Sequence, residues 1–209
     1  KDDPENFGIF VSSSAYLKKM ALKADSSNYQ VATHCIGDEA NREVLKLYGE
    51  ILKGKNDKRW RIEHAQVIHP EDFTLFENFS IIPSIQATHA TSDMYWAEDR
   101  LGAARMEGAY AYKTLLDQLG WIPNGSDFPV ESINPLYGFY AAVARKDHSG
   151  YPEGGFLSDE ALSREEALQA MTTWAARAAF EETFKGSIEP GKIADFVITE
   201  KNIMTMDEA

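Results

Sequence analysis

Apolar residues along the chain repeat at two spacings, and the two spacings take turns. Tyr16, Leu17, Met20, Ala21 and Ala24 fall one helical turn apart, which predicts a helix over residues 12–24. Residues 30–34 read as a short strand. Asp38 is placed to cap a helix whose apolar stripe is Val44, Leu45, Tyr48, Ile51 and Leu52, with Gly54 as its stop. A second strand over 59–64 leads through Pro70, a favoured first-turn residue, into another helix. A third strand is expected over 81–85, followed by a long polar loop over 86–107 and a helix over 110–119. A fourth strand over 121–124 precedes a helix beginning near Pro135, and Ser163 with Glu166 has the spacing of a capping box. Residues 186–198 break the rhythm and read as a turn plus a single strand.

Strand–helix alternation implies parallel strands with right-handed crossovers. Four such units make half of an eight-fold barrel, which takes ~250 residues when complete; this chain has 209. An open, doubly wound sheet is the competing architecture, although no Gly-rich phosphate turn marks one. With 44% hydrophobic and 26% charged residues the chain can bury a core. No apolar run approaches the ~18 residues of a membrane span. The net charge of −12 argues against a nucleic-acid partner, since phosphate binding needs a basic face. Cys35 is the single cysteine, so an intramolecular disulfide and a Cys-rich zinc site are both excluded, and a cytoplasmic setting is the expectation. The chain opens at Lys1 rather than Met and reads as a fragment of a longer enzyme. Half a barrel leaves two strand edges open, so a homo-oligomer is expected.

The chemistry-bearing residues fall at one end of these strands. His34 ends the first, His64 ends the second, His89 lies just past the third, and Asp127 follows the fourth. Active sites of α/β barrels are built at the carboxyl ends of the strands. Two imidazoles and a carboxylate converging there suit a first-row metal, zinc above all. A lone strand-end histidine more often serves structure than binds an ion, and Asp127 alone could open a turn. Recurrence at four successive strands favours the metal. His69, ahead of Pro70, reads as a capping or surface residue, and His148 as a solvated one. Cys35 follows His34 and therefore points to the opposite face.

The segments THCIGDEA, RIEHAQ, SIQATHATSDMYW, NGSDFPV and GSIEPGKIADFVI, in this order, resemble the carboxyl-terminal half of the amidohydrolase superfamily, closest to its family-3 branch. The resemblance implies an α/β fold, a partial (β/α)8 barrel of the TIM type comprising roughly strands 5–8 with their helices. Residues 1–184 would be barrel, and residues 185–209 the return into a small β-sandwich domain. It implies His34, His64 and Asp127 as metal ligands, with Asp127 also the catalytic proton acceptor. His89 would touch substrate. The loop over 86–107, which carries Arg105 as a further candidate for substrate contact, would form either a lid or wall over the site or a surface Ω-loop. The activity implied is hydrolysis of amide-type, non-peptide C–N bonds in a small-molecule substrate by a metal-activated water, with one or two divalent ions. The family's first-strand His-x-His pair is absent, and its bridging residue, often a carboxylated lysine, is not evident ahead of Ser12. The fragment alone is therefore expected to be inactive. A non-catalytic barrel serving as a binding or assembly module is the alternative.

Overall fold

The computed structural model describes residues 8–207. Part of the opening stretch in which a bridging residue was sought, residues 1–7, lies outside the described residues. Three short strands, β1 (Ala32–Cys35), β2 (Arg61–His64) and β3 (Ile82–Ser84), form a parallel sheet in chain order. Ala32 pairs with Arg61 and Cys35 with His64, and Arg61 pairs in turn with Ile82. Helix α1 (Ser14–Ser26) precedes β1, and α2 (Asp38–Leu52) crosses from β1 to β2. A 3-10 turn (Pro70–Asp72) and α3 (Phe73–Phe79) connect β2 to β3. Each crossover buries its apolar stripe against the sheet: Val44, Leu45 and Tyr48 of α2 and Phe76 of α3 pack with Trp60, Ile62 and Cys35.

The fourth strand is reduced to one parallel bridge between Ile85 and Asn124. Ile85 N donates to Pro123 O at 2.9 Å and Gly125 N to Ile85 O at 3.0 Å. The ladder goes no further for a local reason. Pro123 has no N–H to give, and Asn124 N donates to Ala170 O instead, at 3.0 Å. The segment still lies beside β3, so the order of an arc of barrel is kept.

Two further expectations are corrected. Residues 86–107 do not form a long loop. They form three short helices, α4 (Ala87–Asp93), α5 (Ala97–Leu101) and α6 (Ala103–Met106). None has a side-chain cap, which hides them from a reading based on capping and periodicity; burial of Ala87, Ala90 and Ala97 holds α4 and α5, while α6 buries no residue. The expected strand within 186–198 is also missing. Its turn forms, with Ile193 N donating to Phe184 O at 2.8 Å, but Phe196, Val197 and Ile198 stay exposed and unladdered. A strand needs a neighbour, and among the described residues none is offered.

After α6 the chain runs through α7 (Tyr112–Leu119) to the fourth-strand segment, and then α8 (Pro135–Ala144), α9 (Arg164–Met171) and α10 (Thr173–Ala178). The capping box at Ser163 and Glu166 forms as expected. At the amino ends of the strands, Gln30 Nε2 donates to Ala178 O at 2.7 Å, and Arg59 pairs with Glu182 at 2.8 Å. An amide and an ion pair thus close that end beside α10. No helix among the described residues is long and apolar enough to cross a membrane.

The segment after α6 approaches β2's exit very closely. Val67 and Ala109 form an antiparallel bridge, and Ile68 N donates to Gly108 O at 2.8 Å. A Cβ on Gly108 would sit 1.7 Å from Ile68 O, whereas one on Gly125 meets nothing within 4 Å. Gly108→Ala is therefore expected to lower unfolding stability by at least about 2 kcal/mol. Gly125→Ala should leave the urea midpoint nearly unchanged. Equal midpoints for the two variants would refute this account. Ser163→Ala, which removes the cap of α9, should cost about 1 kcal/mol in the same assay.

Candidate metal centre

The centre grows from the paired ends of β1 and β2. Residues opposite each other in a parallel ladder share a face, so His34 sits with Glu63, and Cys35 with His64. Thr33 and Cys35 turn to the helix layer, where Thr33 Oγ1 meets Tyr48 Oη at 2.6 Å and Cys35 is buried. Regular alternation would send His64 to that layer too. It does not go there, because His64 has φ 77° and Ala65 φ 46°, and this left-handed break ends the extended backbone. The imidazole turns back to His34, and His64 Nε2 stands 2.8 Å from His34 Nδ1. Such a conformation costs on the order of 1–3 kcal/mol for a residue with a Cβ. Asn41 helps to hold the exit: its Nδ2 lies 3.0–3.3 Å from the carbonyls of Cys35, Ile36, Gly37 and Val67.

The third histidine approaches from the next strand along. His89 sits in α4, directly after β3, and its ring centroid is 5.6 Å from that of His64. Asp127 follows the fourth-strand segment, and it too has a left-handed φ, 54°. Its Oδ2 lies 3.5 Å from His89 Nε2, while His89 Nδ1 is 3.1 Å from Glu131 Oε1. One ligand atom from each of His64, His89 and Asp127 falls within 4.8 Å of the others. His34 is not within that group; it touches His64 alone of the three. Four side chains from four successive strand ends therefore meet at one rim.

The surroundings set the electrostatics. Burial pushes the His64 imidazole below the ordinary histidine range, and the neighbouring His34 pushes it the same way. Asp127 and the Gln86 side chain act in the opposite sense but do not overcome burial. Neutral imidazole is the form that binds a metal. Near His89, burial raises the Asp93 carboxyl, although Tyr110 Oη and Gln66 Nε2 each donate to its Oδ2 at 2.8 Å. His64 Nδ1 and Gln86 Oε1 are both buried without a hydrogen-bond partner among the described residues. Converging ring nitrogens and a half-exposed carboxylate are the donor set of a divalent first-row cation. The residues present thus fit such an ion.

The remaining sequence candidates have other partners. Arg105 is on α6, half exposed, with Nε donating to Asp38 Oδ2 at 3.1 Å at the start of α2. His69 caps the 3-10 turn, its Nδ1 accepting from Glu71 N at 3.3 Å. His148 is exposed and packs on Tyr137, with ring centroids 3.8 Å apart. Glu131 and Gln86 are site neighbours that sequence reasoning missed. Glu131 falls four residues after Asp127, in a segment that no periodicity marks. Gln86 directly follows the third-strand run, and that position was its one available signal.

Comparison with known proteins identifies the family. Residues 7–209 match the model of the Amidohydrolase family, in its third family. The chain is 38% identical over 208 residues to Protein LONG AFTER FAR-RED 3 of Arabidopsis thaliana, covering 96% of this chain and 35% of that protein. It is 33% identical over 209 residues to the putative amidohydrolase YtcJ of Bacillus subtilis strain 168, covering 100% and 39%. Among solved structures, an uncharacterized metal-dependent hydrolase from Pyrococcus horikoshii OT3 superposes with a TM-score of 0.85 at 27% identity, covering 99% of this chain and 41% of that one. The chain thus spans well under half the length of these relatives, and its three parallel strands and their helices match part of a barrel. On the family match across almost its whole length, this chain belongs to amidohydrolase family 3.

Proposed function

We propose that this chain supplies the carboxyl-terminal half of the active site of a metal-dependent hydrolase acting on amide-type, non-peptide C–N bonds of a small molecule. Residues 1–184 would carry the barrel portion and residues 185–209 the return toward a small β-sandwich. The observation that carries the reading is the convergence of His64, His89 and Asp127, one ligand atom of each within 4.8 Å of the others, with His34 Nδ1 2.8 Å from His64 Nε2. Similarity to the Pyrococcus horikoshii metal-dependent hydrolase supports it.

In this reading His34, His64 and Asp127 hold a divalent cation, zinc being the ion best matched to two imidazoles and a carboxylate. Such an ion supplies Lewis acidity and lowers the pKa of a water to roughly 7. Asp127 is 37% exposed, so its carboxylate is within reach of solvent and substrate. It takes the proton of the attacking water and delivers it to the leaving nitrogen, general base first and general acid second. The buried His89 lies beside Asp127 and orients the substrate there. Arg105 at the rim, once released from Asp38, serves an anionic group of the substrate.

In the full-length protein, Asp127→Asn is expected to reduce amide hydrolysis at least about 100-fold with an unchanged far-ultraviolet circular dichroism spectrum. Near-normal turnover would remove the proton role. His64→Ala should lower the metal bound per chain after dialysis, measured by plasma mass spectrometry. An unmodified protein with neither metal nor activity on an amide panel would favour a non-catalytic binding module.

A further inference from the structure

Glu131 has no part in the chemistry above, yet its side chain is four-fifths buried against α4. Its Oε1 receives the Ser92 hydroxyl at 2.6 Å and faces His89 Nδ1 at 3.1 Å. His89 and Ser92 lie three residues apart, on one face of α4. Four residues earlier, Asp127 presents Oδ2 to the other ring nitrogen of His89 at 3.5 Å, and the turn between them is closed by Val130 N donating to Asp127 O at 2.8 Å. One imidazole is thus bracketed by two carboxylates from a single loop.

An ionised carboxylate accepts hydrogen bonds and cannot donate them, and a neutral imidazole carries one N–H and one lone pair. The two contacts of His89 cannot then be alike. The shorter, to Glu131, also has the better anchored acceptor, because Ser92 holds the same oxygen. We infer that Glu131 is a positioning residue that fixes His89 in the Nδ1–H tautomer, leaving Nε2 as a bare acceptor facing the space beside Asp127. Two acceptors face each other across that 3.5 Å gap, so the place between them attracts a hydrogen-bond donor or a positive charge. A water hydrogen or a substrate N–H suits it. This role rests on the hydrolase reading only for its catalytic consequence; the tautomer is a property of the chain itself.

The test is ring-15N histidine NMR on the full-length, metal-free protein at about pH 8.5, above the ordinary histidine range. Two-bond correlations distinguish Nδ1–H from Nε2–H at His89. The expected result is Nδ1–H in the unmodified protein and in Ser92→Ala, with a shift to Nε2–H in Glu131→Ala. Nε2–H in the unmodified protein overturns the inference, and that observation needs no variant to fold. An unchanged tautomer in a folded Glu131→Ala overturns it equally. With substrate, Glu131→Ala should lower kcat about 10–100-fold with a smaller change in KM. A tautomer shift in a protein that hydrolyses no amide would leave Glu131 in this role and remove the hydrolase reading instead.

Discussion

In a parallel ladder every strand ends on the same side, and neighbouring strands lie ~4.8 Å apart. Polar side chains set at or just past the ends of successive strands are therefore brought to one rim, provided the backbone turns them inward. β1, β2 and β3 obey this constraint, and the segment bridged through Asn124 obeys it with a single contact. The helices between them act as struts: α2 and α3 bury their stripes behind the sheet, and Arg59 with Gln30 closes the far end against α10. A recess of about 480 Å³ opens at that far end, lined by Arg59, Ser80, Trp121 and Arg177 among others. It lies at the wrong end of the strands for barrel chemistry, and its cations are already engaged: Arg59 by Glu182, and Arg177 by the face of Trp121 at 4.3 Å.

The parallel framework was legible in the sequence because its signals are local. Helical spacing in α2, Pro70 at a turn start, and the Ser163–Glu166 box each act within a few residues, and each formed. Asp38, expected to cap α2, is instead its first helical residue; Gly37 holds the cap position with no side-chain bond. The other failures lie where distant partners decide. Pro123 reads as part of a strand until its missing N–H is set against a ladder that needs donors. The apolar run at 196–198 reads as a strand until one asks what it would pair with. Helices α4–α6 lack side-chain caps, and the alanines that anchor α4 and α5 do so only through burial in the surrounding core.

At the rim, residue type and strand position were enough to nominate His34, His64, His89 and Asp127, but not their mutual geometry. Strand alternation alone would have separated His64 from His34, as β2 pairs His64 with Cys35. Their approach depends on backbone torsions at His64 and Ala65 that no residue type advertises. Glu131 was invisible for a related reason: its partner is 42 residues away, on another element.

Those torsions impose a direction on sequence change. His64, Ala65 and Asp127 each occupy a conformation that glycine or asparagine adopts more easily. Substitutions that relax the loops into ordinary extended geometry would raise stability while swinging an imidazole or a carboxylate off the rim. Robustness and the cluster thus make opposite demands on these positions.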